Sequence, residues 1–139
     1  MAIEHAIKES ETAHVGEIRF AVEGALDGIP LLKGQSARER AIEVFSQLRV
    51  WDTERNNGVL IYLLLADRHV EIVADRGVHA RVGSQEWETI CRQMEAAFRQ
   101  GHYREGAVGG IQAVTRHLAA HFPATGDRRN ELADNPALL

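Results

Sequence analysis

The apolar run Val59–Ala66 (VLIYLLLA) constrains the fold more than any other feature, because its eight residues show no polar alternation. A strand that is apolar at consecutive positions is covered on both faces. The run therefore predicts the central strand of a sheet with helices above and below it. Its eight residues fall far short of the roughly 20 that a membrane-spanning helix needs. Turn signals bound it on both sides, Asn56-Asn57-Gly58 before and Asp67-Arg68 after. His69–Asp75 then alternates, with Val70, Ile72 and Ala74 inward, so the two strands form a β-hairpin. A turn at Ala66–His69 makes facing residue numbers sum to about 135, which places Gly58 opposite Gly77.

The remaining elements follow from periodicity. Residues 2–14 carry scattered apolar positions at helical spacing and predict a short amphipathic helix. Glu17–Glu23 alternates, with Ile18, Phe20 and Val22 on one face and the other face solvated. Residues 24–35 hold Gly24, Gly28, Pro30 and Gly34 and read as a loop. Ser36 and Glu39 make a capping box for a helix over about 37–49, with Ala41, Val44, Phe45 and Leu48 apolar. Ser84 caps a further helix whose apolar stripe is Trp87, Ile90, Cys91, Met94 and Phe98, and Gly101 stops it. A last helix covers about 104–121, and residues 124–139 form an extended or disordered tail.

The order is helix, strand, helix, strand, strand, helix, helix. A right-handed crossover makes the first two strands parallel, and the hairpin makes the third antiparallel. The fold class is α/β: a small three-layer α/β/α sandwich with a mixed sheet.

Composition excludes several functions. Sixteen basic against 20 acidic residues give a formal charge of −4, so nucleic acid is not an expected partner. The N-terminus lacks the basic and apolar regions of a secretory signal, and no transmembrane segment is present. A single cysteine allows no internal disulfide and fits a reducing compartment, so the expected location is cytoplasmic.

Candidate chemistry gathers at the open end of the hairpin. Parallel pairing brings Glu17 to the same edge as Asn56, Asn57 and Asp75, with Asp52 and Glu54 in the adjoining loop. An oxygen-rich cluster suits a hard cation such as calcium or magnesium. The same residue types also simply set turns, and both readings stand on the pattern alone. Arg55, Arg76 and Arg81 lie near enough in sequence to supply positive charge. Cys91 sits within an apolar helix stripe and reads as a core thiol. His117 and His121 have i,i+4 spacing but no evident third zinc ligand. Gly106–Gly110 reads as a site of close helix packing rather than a phosphate loop.

Four blocks, Asn56–Ile61, Asp67–Ile72, Asp75–Val78 and Gly101–Gly106, stand in the order seen in TPM domains, and the chain resembles that family over about residues 3–122. The segment Asn130–Pro136 is similar to the tail of short bacterial members that lack a membrane helix. The resemblance implies an α/β/α sandwich, calcium or magnesium binding in some members, and acid-phosphatase activity in one plant member. It also implies accessory roles beside membrane complexes. The family's acidic residue in the first block is here Asn56, and its usual glycine and aromatic in the third block are Asp75 and Arg76. Losing that charge lowers the expected cation affinity.

The expectation is thus an accessory binding module, peripheral to the inner face of the membrane and working with a membrane-associated protein partner. It would hold Ca2+ or Mg2+ weakly through Asp52, Asn56, Asn57 and Asp75. The alternative is a metal-assisted phosphatase using the same edge, and a third reading makes the Asn130–Pro136 tail a recognition peptide.

Overall fold

The computed structural model describes residues 2–14, 16–25, 35–123 and 132–139. Its elements are α1 (Ala2–Ser10), β1 (Glu17–Glu23), α2 (Ala37–Gln47), β2 (Gly58–Leu64), β3 (His69–Ala74), α3 (Arg76–His79), α4 (Ser84–Arg99), α5 (Tyr103–His121) and β4 (Ala137–Leu138). The sheet order is β3-β2-β1-β4, with β2 parallel to β1 and antiparallel to β3. Every residue of β2 is buried, as expected of a strand with no polar face.

Two cores flank the sheet. Ile18, Phe20, Val59, Ile61, Val70 and Ile72 face α1, α4 and α5 through Ile7, Met94, Phe98, Ile111 and Leu118. On the other side Ala21, Leu60, Tyr62 and Val73 face α2 through Ala41, Val44 and Phe45. This is the expected three-layer sandwich.

The structure corrects the sequence reading in several places. The second face of β1 is not solvated: Ala21 and Glu23 are buried there, because α2 and the end of the chain lie across it. The first helix ends at Ser10 rather than near residue 14, and Ser10 Oγ turns back to the Ile7 carbonyl. The N-cap of α4 is Gly83, and Ser84 is its first helical residue. Hairpin partners sum to 133, as in Val59 with Ala74, since four residues (65–68) make the turn. Asp75, not Gly77, therefore lies opposite Gly58 and donates its N–H to the Gly58 carbonyl at 2.8 Å. Gly77 belongs instead to the short α3, which the alternating pattern before it did not announce.

Of the expected tail, residues 124–131, including Asn130 and Glu131, lie outside the described residues, as does 26–34 of the expected loop. Residues 132–139 are held against the domain. Glu17 Oε1 accepts from Leu132 N at 3.0 Å, Arg19 Nη1 donates to the Asn135 carbonyl, and Ala137–Leu138 pair in parallel with Ala21–Val22. The recognition-peptide reading thus meets a segment whose described part is occupied by its own sheet.

The opposite edge, β3, is closed by side chains. Glu95, buried on α4, accepts from Val70 N at 3.0 Å, and Arg38 Nη1 donates to the Ile72 carbonyl at 2.6 Å. Such blunting stops an edge strand from pairing with another chain.

The α2 layer is fixed by an ion pair within the apolar interior. Arg40 Nε and Nη2 reach Glu23 Oε1 and Oε2 at 2.8 and 3.0 Å, and Tyr62 Oη donates to Glu23 Oε1 at 2.6 Å. The Arg40 hydrogen bonds hold the Glu23 carboxyl below its ordinary range, whereas burial and the Glu23 charge push the Tyr62 hydroxyl up. Removing one partner of such a pair leaves the other charge buried and bare. Arg40→Met should cost about 3–5 kcal/mol of unfolding free energy in urea melts, and Glu23→Leu with Arg40→Met should recover most of it. Because the folded Glu23 pKa is depressed, its contribution is complete above the unfolded value of about 4.3 and fades as pH falls toward the folded one. The fall in urea midpoint between neutral and acid pH should be shallower in Glu23→Gln.

Candidate functional site

The expected edge is where the amino ends of β1 and β2 meet the start of α3. Glu17 is the register partner of Gly58, as parallel pairing requires. The backbone here is packed tightly. Gly77 N donates to the Asn56 carbonyl at 2.9 Å, and a Cβ at Gly77 would lie 2.5 Å from that oxygen and 2.7 Å from the Arg55 carbonyl. A Cβ at Gly58 would strike the Val50 carbonyl. Asn56 sits in the left-handed region at φ 53°, a conformation that a short amide side chain tolerates. The glycines of two family blocks are therefore explained by close backbone approach.

The four sequence-selected donors divide. Asp75 is the N-cap of α3: its Oδ1 accepts from Arg76 N at 2.9 Å, while Oδ2 is shielded from solvent without a hydrogen-bond partner. Asn56 is half-buried, and its backbone carbonyl accepts from Gly77 N, two residues after Asp75. Asn57 is buried and already engaged, its N–H donating to Thr53 Oγ1 at 3.1 Å and its carbonyl accepting from Glu17 N at 3.2 Å. Asp52 is exposed and paired with Arg49 at 2.9 Å. Among the described residues no group of three or more His, Cys, Asp or Glu is placed to hold a metal. Of these four donors, Asp75 alone has a carboxylate oxygen that is buried without a hydrogen-bond partner.

Of the nearby arginines, Arg81 is committed elsewhere, donating to the His121 carbonyl at 3.1 Å and lying over the Phe122 ring. Arg55 and Arg76 stay on the exposed edge. Cys91 is buried, and desolvation, reinforced by Glu71 and Glu95, pushes its thiol up to about 12, which leaves no thiolate for nucleophilic work. His117 stands edge-on to Trp87, with centroids 5.6 Å apart. Gly106 and Gly110 let α5 approach Phe98 and Met94 of α4, the close packing expected of that stripe.

A second feature lies at the opposite end of the sheet. Where β1 and β2 finish, an apolar groove of about 860 Å³ opens between α1 and the start of α5. Phe20, Val22 and Leu63 of the sheet, Ile3 of α1 and Ala107 of α5 line it. Leu65 and Tyr103 stand exposed at its side. The Tyr103 ring stacks on Phe98 with centroids 5.3 Å apart, and its hydroxyl accepts from Arg68 Nε at 3.0 Å. Two basic side chains, His5 and Arg104, meet the groove. His5 is paired with Glu9 at 3.4 Å, whereas Arg104 has no ion-pair partner among the described residues. Sequence reasoning missed this groove, although its Tyr103 and Arg104 belong to the block Gly101–Gly106.

A mixed sheet with helices on both faces, glycine-pinned at one end and open at the other, defines a small α/β/α domain. The profile of the TPM domain matches residues 1–117, and the chain belongs to that family. Among solved structures it is similar to the BA42 protein of the psychrophilic bacterium Bizionia argentinensis. That likeness has 31% identity and a TM-score of 0.85, over 99% of this chain and 90% of the other. The N-terminal domain of a P. gingivalis protein shares the fold, at 22% identity and a TM-score of 0.66, over 85% of this chain and 72% of that one. No curated protein matches significantly. No helix among the described residues is long and apolar enough to cross a membrane.

The backbone packing gives a differential test. Gly77→Ala should destabilise by about 2 kcal/mol or more, because its Cβ meets rigid carbonyls. Gly109→Ala, on the exposed side of α5 with nothing within 4 Å of its Cβ, should be neutral or slightly stabilising. Urea midpoints of the two variants measure the difference.

Proposed function

We propose that this TPM-domain chain is a binding module that works beside a membrane-associated protein partner, in the cytoplasm at the inner face of the membrane. It engages its ligand in the groove at the carboxyl ends of β1 and β2. The groove carries this reading: it is apolar, open and largely preformed, and about 860 Å³ lies within the usual range of ligand sites. It also lies at the carboxyl ends of parallel strands, where open α/β sheets take their ligands. Its lining is mostly hydrocarbon, with His5, Tyr103 and Arg104 the polar side chains among the described residues, which favours binding over turnover.

The amino-end edge has a subsidiary role as a weak Ca2+ or Mg2+ site. Asp75 Oδ2 would supply the charged oxygen and Asn56 a neutral one, with water completing the shell. Such a cation would lend a Lewis acid to any phosphoryl group brought to Arg55 and Arg76. That is the basis of the second reading, a metal-assisted acid-phosphatase-like hydrolase, which also draws on the phosphatase in the name of the family profile. Phosphoryl transfer needs an activated nucleophile and strong charge stabilisation together, and Asp75 Oδ2 is the carboxylate oxygen this reading relies on.

Photo-crosslinking discriminates between the ends of the sheet. A benzophenone side chain at Leu65 should give a defined adduct in cells, and one at Arg55 should not. Adducts from position 55 alone would overturn the groove reading. For the cation, amide NMR with Ca2+ or Mg2+ should move residues 56–58 and 75–78 with affinity of about 1 mM, the weak end of calcium sites. That response should vanish in Asp75→Asn; silence into the millimolar range removes the cation. Divalent-dependent hydrolysis of p-nitrophenyl phosphate that disappears in Asp75→Asn would instead establish the hydrolase.

A further inference from the structure

The groove's chemistry identifies the kind of ligand it accepts, an inference that rests on its being the ligand site. Its lining divides into two parts. Phe20, Val22, Leu63, Ile3 and Ala107 present only hydrocarbon. The polar groups that meet the groove are few: His5 is already paired with Glu9, the Tyr103 hydroxyl is already paired with Arg68, and Arg104 is unpaired among the described residues.

That division selects among occupants. β1 and β2 are hydrogen-bonded to each other along seven register pairs, so the sheet beneath the groove has no free edge for an extended peptide. A peptide lying there would bury amide groups with few partners, and an unmade buried hydrogen bond is costly. A helix satisfies its own backbone, but its diameter of about 10–12 Å admits only side chains. A hydrocarbon chain brings no groups that need partners. Arg104, at the second position of α5 and next to the groove, supplies the complementary charge for one anionic head. The geometry points to a single-chain acyl carboxylate, its chain along Phe20, Val22 and Leu63 and its carboxylate at the Arg104 guanidinium.

Arginine pairs with carboxylate in a bidentate fork and stays protonated at any physiological pH. The inference therefore predicts dependence on charge, on chain length and on this one side chain. Glu105 on α5 and Glu9 on α1 stand near Arg104 in the adjoining cleft. Their negative charge opposes an anionic head, so only a carboxylate seated directly on the guanidinium gains from Arg104.

The test is isothermal titration and amide NMR of the full chain with sodium octanoate, decanoate and dodecanoate, and with dodecanol. Saturable binding should shift resonances of the groove residues. Affinity should rise roughly three- to fourfold per added methylene, as expected for hydrocarbon leaving water. Dodecanol should bind about tenfold more weakly than dodecanoate, and Arg104→Gln should bring dodecanoate to the alcohol's level. Leu65→Glu, at a position 41% exposed and so compatible with folding, should abolish dodecanoate binding by placing a like charge at the mouth. Dodecanoate that leaves groove resonances unmoved at 1 mM overturns the inference. Binding indifferent to Arg104 overturns it equally. If the acids fail while the crosslink at Leu65 persists, the ligand is a protein segment: the acyl inference falls and the binding-module reading stands.

Discussion

The buried contact of Glu23, Arg40 and Tyr62 is the constraint on which the rest of this sandwich depends. The α1, α4 and α5 layer has a long apolar interface with the sheet, but α2 presents only a short one, chiefly Ala41, Val44 and Phe45. Apolar burial is non-directional and would allow α2 to slide or rotate on the sheet. A two-pronged arginine bond to a carboxylate on β1, shared with a hydroxyl on β2, does not. It fixes the helix to two strands at once, at their carboxyl ends. The segment leaving α2 must then return along Val50 to the Gly58 turn, whose backbone fits only without a side chain. An ion pair at one end of the sheet thereby helps set the backbone at the other.

Sequence legibility followed physical locality. The Ser36–Glu39 capping box, the buried Val59–Leu64 strand and the Trp87–Phe98 stripe all declare themselves within one or two turns of chain, and each is present. What escaped was non-local. Glu23 reads as the polar end of an alternating strand because nothing near it announces Arg40, 17 residues on. The tail looked aperiodic because its order comes from Glu17 and Arg19, more than 110 residues away. The register differs by two because the connecting residues are 65–68, one position earlier than an Ala66–His69 turn.

The candidate site shows the same split. The edge was legible because its residues are turn formers in recognisable blocks, and turn formers advertise themselves. Their tight backbone packing also explains much of their pattern without any ligand. The groove was illegible because each residue that lines it looks like ordinary core: Phe20, Leu63 and Ala107 become a cavity only where α1 and α5 part. Tyr103 and Arg104 carried the nearest signal, an aromatic and a cation at a helix start.

Both margins of the sheet are sealed, but by different means. At β3 the seal is built into folded elements, with Glu95 from α4 and Arg38 from α2 capping the outward backbone groups. At β1 it is two residues near the end of the chain, Ala137 and Leu138. A chain cut before Ala137 would lose one residue packed against the α2-side core together with its protection against strand-to-strand association on that side. An appendage fused after Leu139 would therefore sit beside the short strand that covers β1 and bear on strand-to-strand association there.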